Sequence, residues 1–456
     1  MRYSARLVVL VTAVIAAALI VLHLNSFPSI HQWRILSRPA GLALKAPDKV
    51  DADAPPCQRL AGAEDVVVVM RTGATEIKAK LPIHFNTTFR CYPDTLIFSD
   101  YAELFQGHEV HDVLSIVADD VMEANEDFQH YLRLKRLGRE GLAQSELHGE
   151  SLESGPLGKN DNPGWRLDKW KFLPMMSRTL ELRPDQKWFI FIEPDTYLVW
   201  SSMVRWLQTM DWREDQYLGS EVQIGDDVFA HGGSAFVMSK SAIEKAVEAY
   251  QTDPEEWHSR TAQHWAGDCI LGTALTTIGV DLTWSWPMFQ GGNPADMDWK
   301  EHKAERRLWC SPALSYHHLE AWEVESVWSF EQQHILGLIE SATQRRQTSV
   351  LHHDDMFMRY VMPNITQEKT DWTNMSPDLI PNSASMSLEE CRTLCEEKPG
   401  CVQFSQSSFG CSTGQEVKMG RPFAGIESGW ILDRVDYWRR SFRSCRGIRG
   451  WTTDWN

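Results

Sequence analysis

Two unbroken apolar runs constrain the fold of this chain more than any other feature of its sequence. Residues 66–70 (VVVVM) and 188–192 (WFIFI) consist of apolar side chains alone. Runs of this length predict strands that are buried on both faces of a sheet. A further apolar strand is predicted at residues 95–100, and helices are predicted at residues 77–89 and 167–180. This alternation of strands and helices predicts an α/β fold.

The composition indicates a globular protein and argues against nucleic acid as a partner. Hydrophobic residues make up 43% of the 456 residues and charged residues 23%, which excludes a mostly disordered or fibrous protein. The length fits about two or three domains. The 45 Lys and Arg residues against 62 Asp and Glu residues give a formal net charge of −17, whereas nucleic-acid binders usually present a basic face. A local basic pocket for a phosphate ligand remains compatible with this charge.

The N-terminus contains an apolar run, Leu7–Leu22, interrupted only by Thr12. One interpretation is a cleaved signal peptide, with the three alanines at residues 16–18 as the cleavage site. We favour a cytoplasmic tail and an uncleaved signal anchor over residues 1–24, because the apolar run continues past these alanines. Basic residues before the run would stay cytoplasmic, so the remaining chain would be lumenal in a single-pass type II orientation.

Sequons and clustered cysteines also indicate a lumenal location. Three N-glycosylation sequons begin at Asn86, Asn364 and Asn374. Four of the nine cysteines lie within 21 residues, at Cys391, Cys395, Cys401 and Cys411. This spacing suits disulfides in an oxidising compartment. A zinc site is the alternative, but the cluster has no C-x-x-C pair and no nearby histidine.

These features divide the lumenal chain into four segments. Residues 25–62 are predicted as a stem, residues 63–345 as the main α/β domain, residues 346–385 as a linker and residues 386–446 as a small disulfide-bonded domain. The stem and the linker are assigned because they contain scattered prolines and polar residues without a clear period.

The predicted strand at residues 188–192 runs directly into Glu193-Pro194-Asp195. Ligands bind at the carboxyl edge of open α/β sheets, and residues two apart on an extended backbone point the same way. The two carboxylates can therefore hold a hard divalent cation together with a diphosphate. The alternative is a helix N-cap or a solvated turn.

Residues 188–197 (WFIFIEPDTY) resemble the hydrophobic strand and DxD element of family 31 glycosyltransferases, which are related to Fringe and core 1 β1,3-galactosyltransferase. The resemblance is closest to the fungal branch and covers about residues 63–330. Other segments resemble family motifs in the same order, at residues 164–171 (GWRLDKWK), 217–220 (YLGS), 230–239 (AHGGSAFVMS), 267–272 (GDCILG) and 315–318 (SYHH). The chain departs from the pattern where Glu193 replaces an Asp, Pro194 the middle acid and Gly267 the first residue of an acidic pair.

The resemblance implies a GT-A catalytic domain with a Rossmann-like mixed sheet, located in the Golgi membrane. It implies inverting transfer of a sugar from a UDP-sugar to a glycan or glycoprotein acceptor, with a β1,3 linkage and Mn²⁺ or another divalent cation. Asp195 would bind the metal directly, Glu193 would hold it through water or the donor ribose, and His317 would complete its shell. A histidine paired with the backbone is the alternative for His317, and His318 is a rival ligand.

Asp268 would be the base that deprotonates the acceptor hydroxyl. Its alternative role, compatible with the first, is the N-cap of a helix over residues 268–276. The remaining candidates would line the substrate pockets, or else be ordinary loop, turn and core residues. The donor-binding candidates are Arg71, Thr72, Asp100, Lys169 and Pro194. The acceptor-binding candidates are Gly232, Gly233, Trp265 and Trp286.

The cysteine spacing of the tail, C-x3-C-x5-C-x-x-F followed by Cys411, resembles a PAN/apple-like α+β module. That resemblance implies binding of protein or carbohydrate. It also implies nested bridges, with Cys391–Cys411 outside Cys395–Cys401, although sequence alone allows three pairings.

Among the other cysteines, we expect Cys269 to pair with Cys310, which would tether the base near the metal site. Cys57 and Cys91 can pair, which leaves Cys445 free or intermolecular.

Two functions are compatible with these observations. Asp195, Asp268 and His317 together favour the glycosyltransferase. The second hypothesis is a catalytically inactive, membrane-anchored glycan-binding or adhesion protein that retains the fold. The substitutions at residues 193–194 and 267 favour that second hypothesis.

Overall fold

The computed structural model describes residues 54–147, 162–342, 350–442, 444–445 and 450–451. The predicted cytoplasmic tail, signal anchor and most of the stem lie outside these residues. Within the described ranges, no helix is long and apolar enough to cross a membrane.

The strands are β1 Val66–Arg71, β2 Thr95–Ser99, β3 Glu103–Phe105, β4 His108–Asp112, β5 Trp188–Ile192, β6 Tyr197–Leu198, β7 Tyr217–Gly219, β8 Glu221–Ile224, β9 Asp227–Ala230, β10 Phe236–Ser239, β11 Leu282–Trp284, β12 His302–Lys303, β13 Arg306–Arg307, β14 Ser315–Tyr316, β15 Glu368–Thr373, β16 Asp378–Leu379, β17 Gln403–Ser407, β18 Gly410–Gly414 and β19 Arg421–Trp430. The α-helices are α1 Ile77–Lys80, α2 Pro82–Asn86, α3 Asp119–Ala124, α4 Gln129–Leu137, α5 Pro163–Asp168, α6 Phe172–Leu182, α7 Trp200–Leu207, α8 Lys240–Thr252, α9 Pro254–Gln263, α10 Gly267–Thr277, α11 Ala321–Ala342, α12 His353–Met356, α13 Leu388–Glu397 and α14 Leu432–Arg440.

Eight strands form a mixed central sheet in the order β11-β7-β10-β5-β1-β2-β4-β3. β1 pairs in parallel with β2 and with β5, and β10 lies antiparallel between β5 and β7. Every residue of β1 and β5 is buried. Val67 and Val69 enter the core on one face of the sheet, while Val66, Val68 and Met70 enter the core on the other face. The predicted α/β fold is therefore confirmed as a large mixed sheet, consistent with a GT-A-like domain.

The two predicted helices are each divided in the structure. The first becomes α1 and α2, with Pro82 at the first position of α2. The second becomes α5 and α6, separated by a 3₁₀ turn at Lys169–Lys171. Proline is favoured at the start of a helix but lacks the N–H group that a continuous helix needs, which accounts for the first division.

The tail contains an antiparallel sheet in the order β15-β19-β17-β18-β16, against which α13 packs. The edge strands β15 and β16 lie in residues 346–385, so the structure differs from the linker predicted there. These edge strands are polar and partly exposed, and therefore lack the apolar alternation by which a buried strand is recognised. The disulfide-bonded tail consequently begins earlier than predicted.

The tail packs directly on the main domain. One continuous apolar core contains Trp299 and Val327 of the main domain together with Val417, Trp430 and Trp438 of the tail. The backbone N–H of Gly420 also donates to the carbonyl oxygen of Ala295, at 2.9 Å. The tail is thus part of the same folded body as the main domain.

The disulfides confirm three expected pairs and correct a fourth. Cys57–Cys91 and the nested pairs Cys391–Cys411 and Cys395–Cys401 are present. The prediction that Cys269 pairs with Cys310 is wrong, because Cys310 pairs with Cys445 and Cys269 is free. Cys269 is buried against Phe229, whereas Cys310 is buried in the short helix Leu308–Cys310, where it meets Cys445. No disulfide therefore tethers the candidate base to the metal site.

One of the three sequons is inaccessible in the folded chain. Asn374 is fully buried, and its side-chain nitrogen donates to the carbonyl oxygens of Phe404 at 2.9 Å and Gly429 at 3.1 Å. Asn86 and Asn364 are exposed. Asn374 therefore no longer supports a lumenal location, whereas the other two sequons remain compatible with it.

Candidate active site

A cavity of about 470 Å³ lies beyond the carboxyl ends of β1 and β5. It brings together eight of the candidates from the sequence. They are Arg71, Lys169, Glu193, Asp195, Gly233, Trp265, Asp268 and His317. Arg71 and His317, which are 246 positions apart in sequence, thus line the same cavity.

Parallel pairing of β1 and β5 brings Arg71 beside Glu193. Met70 lies opposite Ile192, so the next residue of each strand leaves the sheet at the same edge. The Arg71 guanidinium forms ion pairs with Glu193 and Asp168 and lies 4.2 Å from the ring centre of Phe172. Burial alone would raise the pKa of Glu193, but the charges of Arg71 and His317 lower it to about 2. Glu193 is therefore held as a carboxylate by a cation of the chain itself.

Asp195 lies in the turn after β5, and His84 holds this turn through a hydrogen bond to its backbone. A ring nitrogen of His84 lies 2.7 Å from the carbonyl oxygen of Pro194, so Pro194 supports the turn with its backbone and does not line the cavity. The Asp195 carboxylate lies 3.1 Å from Nζ of Lys80 and 3.2 Å from Nε2 of His317. Burial would raise the pKa of Asp195, but Lys80 and His317 hold it well below its usual range.

The potential ligand atoms of Asp195, His317 and His318 all lie within 4.8 Å of one another. Oδ1 of Asp195 and both ring nitrogens of His317 are buried and make no well-aligned hydrogen bond among the described residues, although Asp195 Oδ1 and His317 Nε2 face each other at 3.2 Å. Buried polar atoms are normally satisfied, so these orphaned atoms fit a bound divalent cation. Glu193 stands beside this group, with one oxygen paired to Arg71 and the other 3.5 Å from His317 Nε2.

The pKa of His317 is raised, although the side chain is buried. Burial lowers its pKa, but the adjacent carboxylates of Asp195 and Glu193 outweigh burial and raise the pKa to about 9. The alternative of a histidine paired with the backbone is not observed, because His317 faces the two carboxylates. Without a cation, His317 is thus protonated at neutral pH and balances their negative charge.

Asp268 lies near the start of α10, which begins at Gly267. Its two oxygens accept the backbone N–H groups of Gly232 and Cys269, each at 2.9 Å. Burial raises its pKa, although these hydrogen bonds and nearby cations oppose the shift. The N-cap of α10 is Ala266, so the predicted N-cap role of Asp268 is wrong. A partly buried carboxylate with a raised pKa at a cavity wall has the properties of a general base.

Packing explains the missing acid at position 267. A Cβ atom at Gly267 would lie 2.6 Å from the carbonyl oxygen of Lys169 and 2.7 Å from its Cα. Both atoms are backbone and cannot rotate away, so no side chain fits here. The departure of Gly267 from the family pattern therefore follows from close helix packing in this chain.

The imidazole ring of His317 leaves no space for a side chain at position 233. A Cβ atom at this position would lie 2.6 Å from each ring nitrogen of His317. We expect Gly233→Ala to displace the imidazole and to weaken Mn²⁺ binding by about 10–100-fold, as is typical when the support of a metal ligand is lost. Titration of the purified protein with Mn²⁺, followed by electron paramagnetic resonance, measures this change.

Gly337→Ala is the matched control for this prediction. A Cβ atom at Gly337, within α11, meets no atom within 4 Å, so this variant should bind Mn²⁺ as the wild type does. Equal Mn²⁺ affinity in both variants would contradict the assignment of His317.

Five sequence candidates lie outside the cavity lining. They are Thr72, Asp100, Pro194, Gly232 and Trp286. Asp100 accepts the N–H of Ala74 at 2.6 Å, and the carbonyl oxygen of Thr72 accepts from the buried Lys171 at 2.7 Å. These contacts order the loop that lines the cavity between β1 and α1. Trp286 is only 3% exposed and is therefore a core residue. Trp265 is 47% exposed and lines the cavity.

Sequence reasoning missed several residues of the cavity wall, among them Lys80, Trp165, Asp168 and His231. Trp165 and Asp168 lie in the segment GWRLDKWK, which carried a family resemblance but no assigned role for them. His231 likewise precedes the Gly232-Gly233 pair. Lys80 lies in a predicted helix and belongs to no motif that indicates a functional role.

The mixed α/β domain and its cavity belong to the class of folds that bind ligands at the carboxyl edge of a sheet. Residues 170–334 match the family described as Fringe-like. This match shows a Fringe-like domain within the chain and supports the resemblance to family 31 glycosyltransferases. It spans β5, the Gly232-Gly233 turn, α10 and the His317-His318 pair. No curated protein sequence matches the chain.

Proposed function

We propose that this chain is an inverting glycosyltransferase that moves a sugar from a UDP-sugar to a glycan or glycoprotein acceptor. The observation that carries the proposal is the single cavity shared by Asp268 and the potential metal ligands Asp195 and His317. An inverting transfer needs both kinds of group, a base for the acceptor hydroxyl and positive charge for the leaving diphosphate.

Asp268 is suited to accept the acceptor proton. Its raised pKa makes it a stronger base than an exposed aspartate, and the N–H groups of Gly232 and Cys269 fix the orientation of its carboxylate. The half-exposed indole of Trp265 offers an apolar face for a sugar ring at the same cavity.

The donor side of the cavity is built from cations and carboxylates of the chain. Arg71 and Lys80 line the cavity beside Glu193 and Asp195, and their positive charges would favour a diphosphate there. Asp195 and His317 would hold Mn²⁺ or another divalent cation. When bound, such a cation would neutralise the charge that develops on the leaving UDP.

Several finer features belong to the same proposal. The β1,3 linkage, the Golgi membrane location and the type II anchor rest on the family resemblance and on the apolar run at residues 7–22. The role of the tail as a PAN/apple-like module that binds protein or carbohydrate rests on its cysteine spacing and its nested disulfides.

UDP release by the full chain tests the proposal directly. A panel of UDP-sugars is supplied with Mn²⁺ or with EDTA, in the presence and absence of glycan acceptors. We expect release from one donor that requires the divalent cation and is stimulated by an acceptor. Retained glycan binding without UDP release from any donor would instead support an inactive glycan-binding protein.

A further inference from the structure

Two adjacent histidines face one cavity. Successive side chains of an extended backbone point in opposite directions. His318, however, has φ +61°, in the left-handed region that residues with a Cβ rarely adopt. The two rings stack with their centres 3.9 Å apart, and both imidazoles offer a nitrogen to the group that contains Asp195.

Asn293 holds His318 in this conformation. Its side-chain nitrogen donates to the carbonyl oxygen of His318 at 3.1 Å and to the buried carboxylate of Glu323 at 2.9 Å. Its side-chain oxygen accepts the N–H of Ala295 at 2.8 Å, so the amide cannot rotate without losing hydrogen bonds. Unfavourable backbone conformations persist where their surroundings enforce them, and they cluster at functional sites.

We propose that His318 is a third protein ligand of the metal ion, beside Asp195 and His317, and that Asn293 is the positioning residue for this histidine. The proposal rests on the proposed function, because it concerns the same metal site. Two imidazoles and one carboxylate favour transition metals over Mg²⁺ and Ca²⁺, which prefer oxygen ligands. The chain would thus compensate at position 318 for Glu193, whose carboxylate is engaged by Arg71.

Pulsed electron paramagnetic resonance of the full chain with Mn²⁺ counts the imidazole nitrogens bound to the ion. We expect two coupled imidazoles in the wild type and one in His318→Asn. Asparagine also tolerates the left-handed region, so this variant should keep the local backbone. The dissociation constant for Mn²⁺ should rise by about 10–100-fold. His318→Gly, which adopts positive φ without strain, serves as the second variant if His318→Asn fails to fold.

Asn293→Ala tests the positioning role. It should weaken Mn²⁺ binding and disturb the coupling of one imidazole, whereas a purely structural role would lower thermal stability alone. His302→Asn, a change in the exposed strand β12, is the matched control and should leave both readouts unchanged.

The outcomes separate this inference from the proposed function. Two coupled imidazoles and unchanged Mn²⁺ affinity in His318→Asn would overturn the ligand assignment, even if the wild type releases UDP. Loss of one imidazole in His318→Asn would support the assignment, even if no UDP-sugar is a donor. Absence of Mn²⁺ binding by the wild type would overturn the ligand assignment, whereas the proposed function would be overturned only by absence of UDP release with every divalent cation supplied.

Discussion

Replacement of Asp268 by Asn should lower turnover about 10³-fold and leave UDP affinity nearly unchanged, since general-base catalysis contributes about 10²–10⁴-fold. Asparagine has almost the same shape as aspartate but cannot accept the proton of the acceptor hydroxyl. One of its atoms can still accept the N–H of Gly232, as the carboxylate does at 2.9 Å. Steady-state kinetics of UDP release, together with calorimetric titration of UDP, measure the two quantities.

The pH profile gives a second readout for the same residue. The base is active when deprotonated, so kcat/KM should fall as the pH drops through the pKa of Asp268. Burial raises that pKa, and the acid limb should therefore lie above the usual range of an aspartate. Asp268→Asn should remove this limb from the residual activity.

Asp119→Asn is the control for this prediction. It makes the same change in the first turn of helix α3, outside the cavity, and should leave turnover, UDP affinity and the pH profile of kcat/KM unaltered. Near-full turnover of Asp268→Asn with normal UDP binding would show that another group is the base.

The parts of the fold that sequence could predict are those with a local signal. Five consecutive apolar residues identify β1 and β5, because a strand buried on both faces needs no polar positions. The same locality places Glu193 and Asp195 at the edge of the sheet. Asp268 and His317 were reached through ordered motifs, and the structure brings both to the same cavity as Asp195.

The parts that escaped prediction depend on contacts between distant residues. Lys80 contacts Asp195, which is 115 positions away in sequence, and the residues around Lys80 contain no motif that predicts this contact. Cys445 reaches Cys310 across 135 positions, whereas the nearer Cys269 is buried against Phe229. Gly267 is the instructive intermediate case. The sequence displays the missing acid, but only the approach of the Lys169 backbone explains it.

Asp195 is expected to have the other large effect, because it is the residue on which the metal site and the local charge balance both depend. Asp195→Asn should abolish measurable Mn²⁺ binding at micromolar ion and lower turnover about 10³-fold. Charge stabilisation by a bound cation contributes several kcal/mol, and each 1.36 kcal/mol changes the rate about tenfold. The same change leaves Lys80 with Glu76 as its remaining partner, at 3.1 Å, so the fold should persist.

Asp226→Asn, in the exposed turn between β8 and β9, is the matched control and should retain both Mn²⁺ binding and turnover.

Lys80→Met separates the role of Asp195 in metal binding from its role as the ion-pair partner of Lys80, since this variant removes the ammonium group and keeps the carboxylate. If Mn²⁺ binds at Asp195 Oδ1, the Lys80→Met variant should still bind the ion, because Lys80 contacts the other carboxylate oxygen. Loss of Mn²⁺ binding in Lys80→Met with full binding in Asp195→Asn would contradict the metal assignment and would make the Lys80 ammonium group the functional cation of this site.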